Sequence, residues 1–305
     1  MFSYTIRRLL GAIPTLLLIV TIAFVMVRAT PGGPFSSERR LPAEVEANLR
    51  AKYHLDEPII VQYFSYLGQV LQGDFGPSFK YKDFTVNELI WSGFKVSVVV
   101  GSAALLLAVV VGTTIGTLAA LRQNTALDYS VMATAMTGIT IPNFVMAPLL
   151  TLILGVHLGW LPVGGWGSPR QAILPIVTLA LPQIAYVARM SRASMIEVLR
   201  SNFVRTARAK GLPERITVTR HALKPALMPV VSYLGPLAAY LITGSVVIEV
   251  IFGIPGVGRY FIQGALNRDY TLVLGVVVFY GALIILFNLL VDLLYGFLDP
   301  KVRYD

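Results

Sequence analysis

Ser201-Asn202-Phe203-Val204-Arg205-Thr206-Ala207-Arg208-Ala209-Lys210-Gly211-Leu212-Pro213 is a short cationic segment set between two long apolar runs. It reads as a helix. Ser201 or Asn202 can cap its start, Gly211 can take the left-handed conformation that ends it, and Pro213 prevents continuation. Phe203, Val204 and Ala207 form a small apolar contact surface. A second helix is predicted from Ile216 to Leu223, ending before Pro225 because the residue ahead of a proline is driven out of the helical region. Two short helices joined by a tight turn make a stiff projection. A cytoplasmic motor that gripped it would tilt the flanking runs, whereas charge alone favours an ordinary basic loop.

Those flanking runs belong to a set of six, roughly Leu9 to Val27, Val96 to Leu121, Val131 to Val156, Ala172 to Ala188, Ala226 to Phe252 and Leu272 to Leu298. A helix that crosses ~30 Å of hydrocarbon at about 1.5 Å per residue needs about 20 apolar residues. Each run but the fourth approaches or exceeds that length. The 305 residues are 55% hydrophobic and only 13% charged, with a mean hydropathy of +0.70, more apolar surface than a water-soluble core of this size needs. The expected class is therefore an all-α integral membrane protein. Arg7 and Arg8 before the first run suggest a secretory or twin-arginine signal, but the run is too long and Val27-Arg28-Ala29 is a poor cleavage site. It is read as a retained anchor.

Cationic segments are held on the cytoplasmic side during insertion. With both termini inside, the cytoplasmic pieces hold fourteen lysines and arginines, nine of them between Arg189 and Lys224. The two short outer loops hold only Arg170, Arg259 and Arg268, and the long segment 30–95 balances seven basic residues against eight acidic ones. Trp91, Trp160 and Trp166 all fall on the outer side, at depths where an amphipathic ring meets lipid and water. The net charge of +9 is thus accounted for by orientation, and no aromatic-basic surface accompanies it, which argues against nucleic acid. Without cysteine, disulfide and thiol chemistry are excluded.

Segment 30–95 is too long for a simple turn and is expected to fold. Pro42 opens one helix through Val45, Leu49 and Tyr53; Pro58 opens another in which Ile60, Phe64, Leu67 and Leu71 share a face. Gly73-Asp74-Phe75-Gly76-Pro77 supplies turns, and Thr85-Val86-Asn87-Glu88 fits a capping box that starts an interfacial helix leading into the second span. The region is either a small structural cap or a docking surface for an external partner.

Inside the membrane, Gly112 and Gly116 stand one turn apart and allow a neighbouring helix to approach closely. Thr134, Thr137, Asn143, Gln183, Ser232 and Thr243 are the candidates for a translocation path, since intramembrane polar groups avoid lipid. Thr140 and Thr178 add to that polarity. The plainer alternative is that each hydroxyl bonds its own helix carbonyls. Pro142, Pro148, Pro182, Pro229 and Pro236 are expected to bend or open their helices. Glu249 and Asp292 lie near span ends, where partial hydration or a helix-end contact is expected; an ion-driven transporter would need a more continuous chain of ionisable groups. His54, His157 and His221 fall in separate regions and suggest neither a metal site nor a catalytic pair.

The segment 201–225 resembles the cytoplasmic loop of the permeases of binding-protein-dependent ABC importers, whose pattern is Glu-Ala-Ala, three residues, Gly, nine residues, Ile, one residue, Leu-Pro. Here it reads Arg205-Thr206-Ala207, then Gly211 at the expected spacing, and ends His221-Ala222-Leu223-Lys224-Pro225. The acidic first position and the isoleucine are absent and the proline is displaced by one, departures that resemble the peptide-permease branch. Arg7-Arg8, Pro31-Gly32-Gly33-Pro34, Gln62-Tyr63, Gly73-Asp74-Phe75-Gly76, Phe203 to Leu212 and Pro255-Gly256-Val257-Gly258 extend the likeness over the whole chain. It is most similar to the B component of oligopeptide permeases, with dipeptide permeases close behind.

That resemblance implies a type I importer fold with six transmembrane helices in one permease domain over 1–305, with 30–95 as an outer subregion and 189–225 as a cytoplasmic coupling loop. It implies a multi-pass protein of the bacterial inner membrane with no catalytic role and no cofactor of its own. Its implied partners are a second homologous permease, two cytoplasmic ATPase subunits that bind ATP and Mg, an extracytoplasmic peptide-binding protein, membrane lipid and the peptide substrate. No Gly-x-x-x-x-Gly-Lys-Ser/Thr loop occurs, so any ATPase is a separate chain. Coupling falls on Arg205, Thr206, Ala207, Gly211 and Leu212. A dipeptide or other small solute remains an alternative cargo.

Overall fold

In hydrocarbon a backbone must satisfy its own hydrogen bonds, and apolar runs of this length do so as helices. The computed structural model describes residues 2–30, 55–243 and 246–298, and among them the one extended pairing is an isolated bridge between Pro77 and Thr85. In chain order the helices are α1 (Phe2–Ala29), α2 (Ile59–Leu71), α3 (Val86–Leu121), α4 (Ala126–Thr140), α5 (Asn143–Leu150), α6 (Pro169–Leu199), α7 (Asn202–Ala209), α8 (Glu214–Ile216), α9 (Leu223–Ala226), α10 (Met228–Ile242), α11 (Val246–Ile251), α12 (Val257–Leu266) and α13 (Tyr270–Leu298). Thr151–His157 continues α5 as a π-helix, and Thr217–Ala222 joins α8 to α9 in the same way. Five stretches are long and apolar enough to cross a membrane, and the pair α4 and α5 makes a sixth if it is one span.

That pair departs from the straight third span expected. Pro142 forces Ile141 to extended angles, φ −89° and ψ 118°, and the two halves meet at a bend of 106°. The fourth span shows the opposite outcome. Pro175 and Pro182 lie inside α6 without ending it, and the helix runs on to Leu199, so the first eleven residues of the segment 189–225 continue α6 as helix.

The chain divides into two compact units. The first comprises Phe2–Val96 and Pro255–Ile285. One of its cores joins Val20 and Phe24 of α1, Tyr66 of α2, and Leu274 and Val278 of α13; another joins Val86 and Ile90 of α3, Val257 of α12 and Val276 of α13. Gly73 and Gly76 turn the chain at φ +74° and +80°, and the capping box forms as expected, with the Thr85 amide donating to Glu88 Oε2 at 2.8 Å. No separate interfacial helix follows it. α3 is one helix of 36 residues, about 54 Å long, so its first turns reach beyond a hydrocarbon layer of ~30 Å. Asp269, fully buried, accepts from Ser78 Oγ and the amides of Phe79, Lys80 and Leu272, tying the turn after α2 to the start of α13.

Pro58 does open α2, but the four residues expected to share a face divide, with Leu67 packed against the first core. Gln62 and Tyr66 point inward, while Ile60, Phe64 and Leu71 are exposed. The cause is what α2 lies against. Tyr63 Oη meets Thr21 Oγ1 at 2.7 Å, eight residues before the end of α1, which is about 12 Å along the helix axis. At that depth an apolar outer face meets hydrocarbon, and the polar side chains turn to the protein. The helix expected from Pro42, and His54, lie outside the described residues.

The second unit comprises Ser97–Ile254 and residues from Leu286 onward. α4, α5, α10 and α11 all pack on α6. The glycine pair works as expected: a Cβ on Gly112 would stand 2.7 Å from Val187 Cβ and 2.9 Å from Ile184 O, and one on Gly116 would collide with Ala188 O, so the α3 backbone lies against both backbone and side chains of α6.

Candidate functional site

The projection between α6 and α10 is built from local signals. Ser201 is the extended N-cap of α7, but its hydroxyl donates back to Val198 O rather than forward into the helix. At the other end Gly211 has φ +76°, its amide donates to Arg208 O at 2.9 Å, and the Leu212 amide donates to Ala207 O at 3.3 Å. This is a Schellman stop, which the glycine makes strain-free. Arg208 then clamps the turn, donating from Nε and Nη2 to both oxygens of Glu214 at 3.0 and 2.6 Å. The guanidinium hydrogen bond holds the Glu214 carboxyl below the usual carboxylate range.

The second helix differs from the expected Ile216 to Leu223. It begins at Glu214, widens to a π-helix through Ala222 and continues in α9 across Pro225. A proline inside a helix leaves the carbonyl four residues back without its amide, and the widened turn contains that position, His221. Val204, Ala222 and Ala226 close into one cluster with Ala120 of α3 and Met195 of α6. Val204 and Ala207 therefore face inward, and of the expected apolar contact surface only Phe203 stays exposed. Of the five expected coupling residues, Ala207 is buried, Leu212 is half-buried, and Arg205, Thr206 and Gly211 are exposed.

Of the six path candidates, the structure brings Thr134 and Thr137 to one cleft of about 450 Å³, beside Ser130, Met146, Leu181 and Ile184. Their hydroxyls nonetheless donate to Ser130 O and Thr134 O of their own helix, at 2.9 and 2.6 Å. Ser232 and Thr243 do the same, to Met228 O and Ala239 O. Gln183 is buried and accepts from the Tyr233 hydroxyl at 3.2 Å. Asn143 sits at the first position of α5, with a buried Oδ1 that has no partner. Tyr233 escaped the sequence reading because a tyrosine in an apolar run reads as packing.

The family of binding-protein-dependent transport system inner membrane components matches residues 112–304, and its N-terminal counterpart matches residues 1–83. The chain belongs to this family. It is 59% identical, over the full length of both chains, to the oligopeptide transport system permease protein OppB of Salmonella typhimurium and to that of Escherichia coli strain K12. It is 45% identical to the dipeptide transport system permease protein DppB of Bacillus subtilis over 99% of this chain and 98% of that one. The fold is shared with a solved MetNI methionine ABC transporter in an inward-facing conformation, at a TM-score of 0.57 and 21% identity, over 69% of this chain and 96% of that one. An amino acid ABC transporter solved with histidines gives 0.55 and 19%, over 68% and 93%.

Two buried acidic groups stand out in this inner membrane component, of which only Glu249 is conspicuous in the sequence. Asp128, fully buried in the first turn of α4, accepts from Arg192 Nε and Nη2 at 2.6 Å each, and from the Asn124 amide at 3.0 Å. It pins the start of α4 to α6, one turn before Met195. Glu249 was expected at a span end, with partial hydration or a helix-end contact. It is 3% exposed and accepts from Ser97 Oγ at 2.7 Å, a protein contact rather than hydration.

Proposed function

We propose that the chain is the membrane permease subunit of an ATP-driven oligopeptide importer, forming half of the translocation path with a second, homologous permease. Its full-length identity of 59% to two OppB proteins supports the cargo class. In this reading both termini and the elbow 200–226 face the cytoplasm, where two ATPase subunits bind ATP and Mg. An extracytoplasmic peptide-binding protein delivers substrate to the opposite side.

The observation that carries the coupling role is the two-sidedness of the elbow. Its inner face is buried at Val204 and Ala207, with Val204 packed on Ala120 of α3 and Met195 of α6, while Phe203, Arg205 and Thr206 are exposed. Cores are close-packed and stiff, so a push on the free face moves the helices beneath rather than being absorbed. Arg205, Thr206 and Gly211 are then the contact residues; Leu212 lies at their edge, and Ala207 acts as the fulcrum. Thr134 and Thr137 are the path candidates best supported, because they share a cleft.

Arg205→Glu reverses charge on the free face without touching the buried one. The expected result is normal membrane insertion with ATPase subunits no longer co-purifying in mild detergent, and uptake of labelled oligopeptide into vesicles falling at least tenfold. Uptake by the isolated chain without ATPase subunits would overturn the assignment.

A further inference from the structure

In the first unit, Arg28 at the end of α1, Glu57, and Gln62 and Tyr66 of α2 are among the residues that line a cavity of about 250 Å³. Three of these contribute a buried polar atom that makes no hydrogen bond: Arg28 Nε, Gln62 Oε1 and Tyr66 Oη. Gln62 and Tyr66 are 9% and 8% exposed. Buried polar atoms are nearly always paired, because leaving one unmatched costs about 1–3 kcal/mol. Three on one cavity are an unusual concentration.

The three groups are also held in place. Gln62 Nε2 donates to Leu55 O and Glu57 O at 3.1 and 2.7 Å, which leaves its oxygen as the free end. Phe24 stacks on Tyr66 with ring centroids 6.2 Å apart and carries the Arg28 guanidinium on its face at 5.4 Å. Burial pushes the Tyr66 phenol well above its ordinary value, so it remains a donor. The unmatched set is therefore a cationic N–H, a neutral O–H and an amide oxygen that needs a donor. Among the described residues Arg28 forms no ion pair, and Glu57, the acidic residue of the lining, is itself partnered.

The complement of that set is a carboxylate with an N–H nearby. The volume is below the ~300–1,000 Å³ of a whole-ligand pocket and fits the end of a ligand. We propose that this cavity binds the C-terminal residue of a short peptide, its carboxylate on Arg28 and Tyr66 and its backbone N–H on Gln62 Oε1. The choice of a peptide rests on the proposed function; the carboxylate rests on the cavity alone. Arg28 closes the end of α1 that bears the long segment, the outward end in the proposed orientation, so this is a holding site ahead of translocation.

The test uses the full chain purified with its membrane and ATPase partners in nanodiscs, without the external binding protein. Trialanine, trialanine amide and acetate are titrated by calorimetry. Trialanine is expected to bind, its amide at least tenfold more weakly, and acetate weakly through the same site. Arg28→Gln is expected to weaken trialanine about tenfold to a hundredfold, the scale of one charge-assisted hydrogen bond, with Arg28→Lys recovering part of it. Tyr66→Phe removes one oxygen and is expected to weaken binding severalfold, which keeps the test open should Arg28→Gln not fold. No binding of trialanine, equal binding of the amide, or affinity unchanged by Tyr66→Phe and Arg28→Gln would overturn the site and leave a water-filled cavity. Peptide uptake by wild-type vesicles tests the import reading separately.

Discussion

At the scale of single residues, the strongest constraint is the pairing of Asp128 with Arg192. A buried carboxylate that receives two guanidinium bonds and a backbone amide loses most of that stabilisation when its charge is removed. Asp128→Asn is expected to lower the unfolding free energy in detergent by about 2 kcal/mol, the usual worth of a charge-assisted hydrogen bond, and Arg192→Met added to Asp128→Leu to restore part of it. Equal melting of wild type and Asp128→Asn would show that solvent already screens the pair. Sixty-four positions separate the partners, and no local pattern links them. Gly112 and Gly116 are the opposite case, since their spacing along one helix face announces a close approach before any partner is known.

Among the elements, the elbow depends on its Schellman stop and on the Arg208–Glu214 clamp. The Glu214 carboxyl titrates below its ordinary range in the fold, so the clamp's contribution is complete above that range and is lost as pH falls through the depressed value. Both side chains are about half exposed, and the effect on global stability is accordingly small. The expected readout is local. Hydrogen exchange of amides 208–216 should quicken as pH is lowered through the acid range, once corrected for intrinsic rates, and Glu214→Gln should remove that pH dependence. Identical protection in wild type and Glu214→Gln at neutral pH would show that the clamp does nothing. The caps of this elbow were legible because Gly211 and Pro213 act on their own backbone. The π-helix ahead of Pro225 was not, because a proline forbids one hydrogen bond without saying how the helix will adjust.

For the molecule as a whole, the proposed coupling requires the buried face of the elbow to stay tight on the helices beneath it. Ala207→Phe forces a large ring into that buried face and is expected to cost about 1–3 kcal/mol through overpacking. Its functional signature should differ from that of Arg205→Glu. The ATPase subunits still bind and hydrolyse ATP, but hydrolysis and peptide uptake become uncoupled. Retention of wild-type uptake per ATP in Ala207→Phe would remove the lever.

Length, apolar runs and local caps determined from the sequence that this chain is a helical membrane protein, roughly where its spans lie and where its elbow turns, because those features depend on each segment's own solvent and backbone. Membership of the permease family was also legible, in the residues from Phe203 to Leu212. Tertiary structure alone decided which face of each helix is inside. In water an apolar stripe marks the core, but beside lipid both directions accept apolar groups, and α2 turned Gln62 and Tyr66 inward and Ile60 and Phe64 outward. The same ambiguity hid the Asp128–Arg192 pair, the Ser97–Glu249 contact and the Arg28 cavity, since each joins groups far apart in the chain.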